Sequence, residues 1–142
     1  MFRRLVPGFI VMMFVLVQVG QAQDGVRKYF SDTAAEVKAT DDPAQKREIL
    51  TNSFQTMSEA LDRVQGSPLI SKDDRAGIDR LKAEIQEKQN ELAGLNGFER
   101  VADGQINSFT DYVVQSMEQA DQQITISLVA ALLIIIIIIL LV

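Results

Sequence analysis

The strongest pattern in the chain is an uninterrupted apolar run at its end. Residues 124–142 read ITISLVAALLIIIIIILLV and include no charged side chain. As a helix this run would be roughly 28 Å long, close to the thickness of a bilayer's hydrocarbon core. In lipid, only a helix pairs every backbone polar group within one such segment. We therefore predict a carboxy-terminal transmembrane helix, whose anchor residues are Ile124, Leu128, Leu132, Ile134, Ile139 and Val142.

Apolar residues recur at helical spacing through the middle of the chain and predict four helices, A to D. Helix A covers residues 26–39, helix B residues 43–65 and helix C residues 72–95. Helix D follows Gly104, and its apolar positions run from Ile106 to Ile124 and lead into the apolar run at the end. Asp42 before Pro43, and Ser71 three residues before Asp74, are typical of helix amino-terminal caps. Residues 66–68 (Gly-Ser-Pro) end helix B, and the pair at 96–97 (Asn-Gly) is the expected stop of helix C.

Helices B, C and D each carry an apolar stripe, with heptad spacing on B and C. Lys88 interrupts the stripe of helix C at a position that normally faces a partner helix. Two interpretations stay open: the stripes pack on one another inside one chain, or they bind a second copy or another protein. The predicted helix-packing residues are Leu50, Phe54, Met57, Leu61, Ile78, Leu81, Ile85, Leu92, Ile106, Phe109 and Val113.

These helices predict an all-α fold: a small antiparallel three- to four-helix bundle or helical hairpin, whose last helix continues into the transmembrane helix. The linker of about six residues between B and C favours the antiparallel hairpin. No helix breaker lies between Gly104 and Val142, so helix D and the anchor could form one rod. A bend near Gln122 and Gln123 is the alternative. No segment alternates apolar and polar residues long enough to predict a strand.

The amino terminus has the pattern of a secretory signal peptide. Arg3 and Arg4 precede an apolar run at residues 5–17, and the small residues Gly20 and Ala22 precede a cleavage site after Ala22. An uncleaved membrane anchor is the alternative. The predicted organisation is a signal peptide at 1–22, an extracytoplasmic helical domain at 23–123 and the anchor at 124–142. The only charged residues between Arg100 and the anchor are acidic. This agrees with an extracytoplasmic domain, because basic residues concentrate on the cytoplasmic side of a membrane span.

Composition argues against most catalytic chemistry. The chain has no His and no Cys, so the usual general base and thiol nucleophile are missing. The acidic pairs at 41–42 and 73–74 fall at predicted helix starts, where negative charge is favoured. Residues 73–79 fail as a calcium loop because Arg75 replaces an oxygen ligand. We expect no enzyme activity, no cofactor and no metal, and the net charge of −5 argues against nucleic acid as a partner.

The expected function is a non-enzymatic, membrane-anchored extracytoplasmic scaffold or interaction protein. Its expected partners are membrane lipid and either another protein or a second copy. The absence of cysteines and of glycosylation sequons favours a bacterial envelope. The alternative function is a small accessory subunit of an envelope transport or secretion complex. A carboxylate-dependent hydrolase and a glycolipid-anchored precursor are weaker possibilities.

Overall fold

The computed structural model describes residues 25–124 and 126–141, and all regular structure in these two ranges is helical. The predicted all-α fold is therefore confirmed, and a helical bundle fits it. The predicted signal peptide and Val142 lie outside the described residues. The helices are α1 (Gly25–Lys38), α2 (Pro43–Gln65), α3 (Lys72–Ala93), α4 (Ile106–Gln123) and α5 (Leu128–Leu141), with a 3₁₀ turn at Asp103–Gln105 before α4.

Local signals set the starts of α2 and α3. The carboxylate of Asp42 accepts a hydrogen bond from the Ala44 amide at 3.3 Å, which caps α2. A reciprocal capping box joins Ser71 and Asp74 at the start of α3. α3 ends before Gly94, which is left-handed with φ 75° and lies so close to the Arg100 backbone that a side chain there would collide with it. The helix therefore stops slightly before the predicted Asn-Gly pair.

α2 is the central helix, with α1, α3 and α5 packed around it. It runs antiparallel to α3, because Lys82 lies 2.5 Å from Asp62 and Asp79 accepts a hydrogen bond from Gln65. α1 packs on α2 through apolar side chains and through polar contacts that include a buried hydrogen bond, 3.0 Å long, between the hydroxyls of Thr33 and Ser53. α4 lies along α1 and completes this part of the bundle.

All eleven predicted helix-packing residues lie in the core, each 8 % exposed or less. They are covered by other helices of the same chain rather than left on the surface. Lys88, which interrupts the stripe of α3, is buried with them at 2 % exposed. The apolar stripes of α2, α3 and α4 thus form the interior of one bundle.

The carboxy-terminal segment departs from the prediction of one continuous rod. α4 ends at Gln123, Ile124 is extended with φ −108° and ψ 118°, and α5 begins at Leu128 and packs back onto α2. The prediction of a continuous rod is therefore wrong. The alternative prediction, a bend near Gln122 and Gln123, lies close to the observed break. No breaker residue causes it; contacts of α5 with the bundle stabilise it. Among the described residues, no helix is both long enough and apolar enough to cross a membrane.

Candidate functional site: the carboxy-terminal helix and its contact with Asp74

α5 is apolar on every side. All 14 of its residues are Leu, Val, Ala or Ile, whereas α1 to α4 each have a polar face. Its bundle-facing side is formed by Ala130, Ala131, Ile134 and Ile138, which are buried. The two alanines allow a close approach to the bundle. Opposite the start of α1, the side chain of Ile135 lies so near Gly25 that a Cβ atom there would be 2.9 Å away.

The other side of α5 is an exposed apolar stripe. Each of its residues lies three or four positions from another member of the set, so the set falls on one face of the helix. Each is at least 40 % exposed, and Leu140 reaches 74 %. Apolar surface gathered on one element is typical of a contact site for lipid or protein. We call this set the α5 stripe; it consists of Leu128, Val129, Leu132, Ile136, Ile139 and Leu140.

The structure divides the predicted anchor residues between two environments. Ile124 and Ile134 are buried in the bundle core. Leu128, Leu132 and Ile139 belong to the exposed α5 stripe. Val142 lies outside the described residues. One part of the predicted anchor therefore contacts protein, and another part faces away from it.

Asp74 fixes the first turn of α5. The Ser127 amide donates a hydrogen bond to Asp74 Oδ1 at 2.9 Å, and the Ser127 hydroxyl donates to Oδ2 at 2.6 Å. The Ser127 hydroxyl oxygen in turn accepts from the Ala130 amide at 3.2 Å, so Ser127 caps α5. Asp74 is only 4 % exposed and also belongs to the capping box of α3. One buried carboxylate thus joins the starts of two helices.

The environment of Asp74 favours its charged form. Burial raises the pKa of this carboxyl group, but the hydrogen bonds from Ser127 and Ser71 outweigh burial and hold its pKa below the usual value. Stabilisation by these bonds is present above the unfolded-state pKa, near 4, and is lost as the pH falls through the folded-state pKa. The contact is therefore intact at neutral pH.

Sequence reasoning identified Asp74 as a cap of α3 but missed its contact with Ser127. Ser127 directly precedes a long apolar helix, which is the position that a capping serine occupies. That local signal was available. The local sequence did not indicate which carboxylate binds Ser127, because Asp74 lies 53 positions earlier in the chain.

A second polar cluster surrounds Lys88 between α3 and α4. The Lys88 ammonium group lies 3.1 Å from both Glu84 and Glu91 and 4.7 Å from the centre of the Tyr112 ring. Burial lowers the pKa of Lys88, but the two carboxylates and Tyr112 outweigh burial and raise it above its usual value. A lysine held in its charged form cannot act as a base or a nucleophile at neutral pH. The cluster has the properties of a structural link between helices.

Several further carboxylates lie on α1 and at the starts of α2 and α3. Asp32 and Glu36 are half-buried on α1, and burial raises the pKa of both. Asp42 is the amino-terminal cap of α2 and its neighbour Asp41 precedes it, whereas Asp73 is exposed in the first turn of α3. Within residues 25–124 and 126–141, no three potential ligands of the His, Cys, Asp or Glu type are grouped to hold a metal ion.

Comparisons with protein-family models, with curated proteins and with solved structures found no significant match to this chain.

Proposed function

We propose that the protein is a non-enzymatic, membrane-associated helical interaction protein and that α5 is its lipid-contacting element. The observation that carries the proposal is the α5 stripe: six large apolar side chains on one face of a helix that has no polar side chain. Moving an exposed leucine or isoleucine from water into an apolar phase contributes about 1.5–3 kcal/mol when burial is complete. Several such residues on one face favour binding to hydrocarbon.

The carboxy-terminal segment could contact a membrane in two ways under this proposal, either lying in its surface or spanning it. In the docked arrangement, α5 would lie in the membrane plane with its stripe among the acyl chains. In the other arrangement, residues 124–142 would form the transmembrane anchor that the sequence predicts. The docked helix has 14 residues and a length of about 21 Å, short of a hydrocarbon core of about 30 Å, so spanning would require more of the chain to become helical.

Vesicle flotation tests the proposal directly. The full chain is mixed with phosphatidylcholine vesicles, whose headgroups have no net charge and so do not repel an acidic protein. We expect the protein to float with the vesicles and the double variant L132K/I136K to partition at least about tenfold less, because two lysines are costly in hydrocarbon. The matched control is Leu95→Lys, at an exposed leucine outside α5. Equal partition of both variants and the unmodified chain would contradict a role for α5 in lipid binding.

The predicted extracytoplasmic location belongs to the same proposal and has its own test. The signal peptide pattern at residues 1–22 and the acidic approach to α5 support it. Trypsin added to intact spheroplasts of a bacterium that expresses the chain is expected to degrade the helical domain. Complete protection, with degradation only after lysis, would place the domain on the cytoplasmic side.

The alternative function, a small subunit of an envelope transport or secretion complex, uses the same α5 stripe on a different partner. A larger membrane protein would then cover the stripe in place of lipid. Purification in mild detergent distinguishes the two. A protein that purifies alone and still floats with pure lipid vesicles supports lipid as the partner, whereas stable copurification with a larger membrane protein that is lost in L132K/I136K supports the subunit.

A further inference from the structure

Two kinds of contact hold α5 on the bundle, and they are separated in space. Apolar packing extends along the helix through Ala130, Ala131, Ile134 and Ile138. Hydrogen bonds to Asp74 occur just before its first residue, through Ser127. Because no side chain of α5 is polar, the helix itself adds no side-chain hydrogen bond to the bundle. The hydrogen bonds that join α5 to the bundle are therefore those of Ser127, the residue directly before the helix.

The apolar contacts of α5 are ones that lipid could replace. The buried and exposed sides of the helix have the same chemical character, so either side is compatible with hydrocarbon. In water, detachment would expose the buried side at a high cost. In a bilayer that side would remain in an apolar environment. Hydrogen bonds to Asp74 have no such replacement in lipid, and they are what distinguishes the docked position.

The connection to α4 is suited to a change in direction. Ile124 is extended, and residues 126 and 127 lie outside any helix, so the described part of this link is not helical. If the hydrogen bonds from Ser127 were broken, Asp74 would still accept a hydrogen bond from the Ser71 amide, at 3.4 Å, within the capping box of α3. The contact between Asp74 and Ser127 can thus open without unfolding α3.

We infer that the contact between Asp74 and Ser127 is a latch that keeps α5 docked on α2, and that a lipid bilayer draws α5 off the bundle when this latch opens. The inference rests on the proposed function, in that lipid is taken as the partner of α5. It adds a closed state, with α5 on α2, and an open state, with both sides of α5 in hydrocarbon. The latch sets the balance between them.

A disulfide between α1 and α5 provides the test, since the chain has no cysteine of its own. In the full-length variant G25C/I135C, the new side chains lie on neighbouring backbone segments, and replacing Ile135 removes the atoms nearest to position 25. Oxidation in the absence of vesicles is expected to give a high yield of the intramolecular disulfide. The oxidised protein is locked closed, and its reduced form serves as the control for folding and binding.

With phosphatidylcholine vesicles, the reduced variant is expected to float at least about tenfold better than the oxidised one, and prior addition of vesicles is expected to slow disulfide formation. Equal flotation of both forms would overturn the release of α5 while leaving lipid binding through the exposed stripe intact. Flotation of neither form would contradict the proposed function and lipid-driven release together. The experiment therefore separates the failure of one proposal from the failure of the other.

Ser127→Ala in the cysteine background tests the latch itself. Loss of a hydrogen bond to a carboxylate shifts such an equilibrium by about tenfold, so the disulfide should form more slowly and vesicle binding should increase. Ser71→Ala is the matched control, because it removes a serine hydroxyl beside the same carboxylate but leaves both Ser127 bonds in place. Circular dichroism establishes that both variants are folded. Equal disulfide rates in the two variants would overturn the latch.

Discussion

At the scale of single residues, Lys88 brings a positive charge into the interior of the bundle. Its ammonium group is neutralised by Glu84 and Glu91 on its own helix and contacts the Tyr112 ring on α4. A buried ion pair is weak evidence for net stability, but removing one partner leaves the other without its counter-charge. Loss of the Lys88 charge is therefore expected to lower the stability of the fold, because Glu84 and Glu91 would lose their counter-charge.

Lys88→Met tests this role. Methionine retains the apolar length of the side chain but removes the charge, so the two glutamates would remain close together without a cation. We expect a loss of about 1–3 kcal/mol in the free energy of unfolding, less than for a fully buried pair because both glutamates are partly exposed. Urea unfolding measures it. The control, Lys72→Met, replaces an exposed lysine at the start of α3. Equal losses in both variants would contradict the role of the cluster.

Glu36 is a half-buried residue whose negative charge is expected to lower the stability of the fold. Its Oε2 atom is buried without a hydrogen-bond partner among the described residues, and burial raises the pKa of the carboxyl group. Since the folded state then binds the proton more tightly than the unfolded state, stability should fall as the pH rises from about 4 through the folded-state pKa.

Glu36→Gln removes this unfavourable charge. We expect the variant to be more stable than the unmodified chain at pH 7, by less than about 1 kcal/mol since the residue is only half-buried. The difference should shrink at pH 3.5, where Glu36 is protonated. Thermal unfolding at the two pH values measures it, with Glu87→Gln on the exposed face of α3 as the control. A destabilised variant at pH 7 would contradict the prediction.

At the scale of elements, the loop between α3 and α4 is held by one arginine of α2. The Arg47 guanidinium group donates hydrogen bonds to the carbonyl oxygens of Leu92 and Val101 and to Asp103, the last at 2.8 Å. The hydrogen bond from Arg47 to Asp103, together with the positive charges of Arg47 and Arg100, holds the pKa of Asp103 below its usual value. Arg47 thus connects the end of α3 with the turn that starts α4.

Arg47→Ala should loosen this loop without removing a core side chain. Arg100 lies within the loop with an exposed side chain and provides a trypsin site. We expect cleavage after Arg100 to accelerate by about tenfold or more, because local opening is controlled by the hydrogen bonds that Arg47 makes. Arg80→Ala, at an exposed position of α3, is the control. Cleavage at the same rate in both variants would show that other contacts hold the loop.

Helix boundaries were predictable where the signal is local. Asp42 with Pro43, and Ser71 with Asp74, lie within a few residues of the helices they start, and the structure places α2 and α3 there. The break after Gln123 was not predictable in this way. It depends on Asp74, far earlier in the chain, and on the fit of Ala130 and Ala131 against the bundle. Local sequence around residue 124 contains no breaker that would indicate it.

At the scale of the whole molecule, the pattern of apolar residues predicted an all-α fold, but it could not predict where the last helix lies. A helix that is apolar on all sides has no hydrophobic face to orient it. The same 14 residues are compatible with a position on α2, a position in the membrane plane, or part of a longer span. In this structure, both the hydrogen bonds from Ser127 to Asp74 and the burial of one side of α5 accompany the docked position.

The measurement that tests the central claim most directly is the environment of α5 in the presence of lipid. A fluorophore sensitive to polarity is attached to a single cysteine at Ile136 in the α5 stripe and, as a control, to one at Leu95. With phosphatidylcholine vesicles, we expect a blue shift and protection from an aqueous quencher at position 136, with no change at position 95. Emission at position 136 that stays the same with and without vesicles would contradict the claim that α5 is the lipid-contacting element.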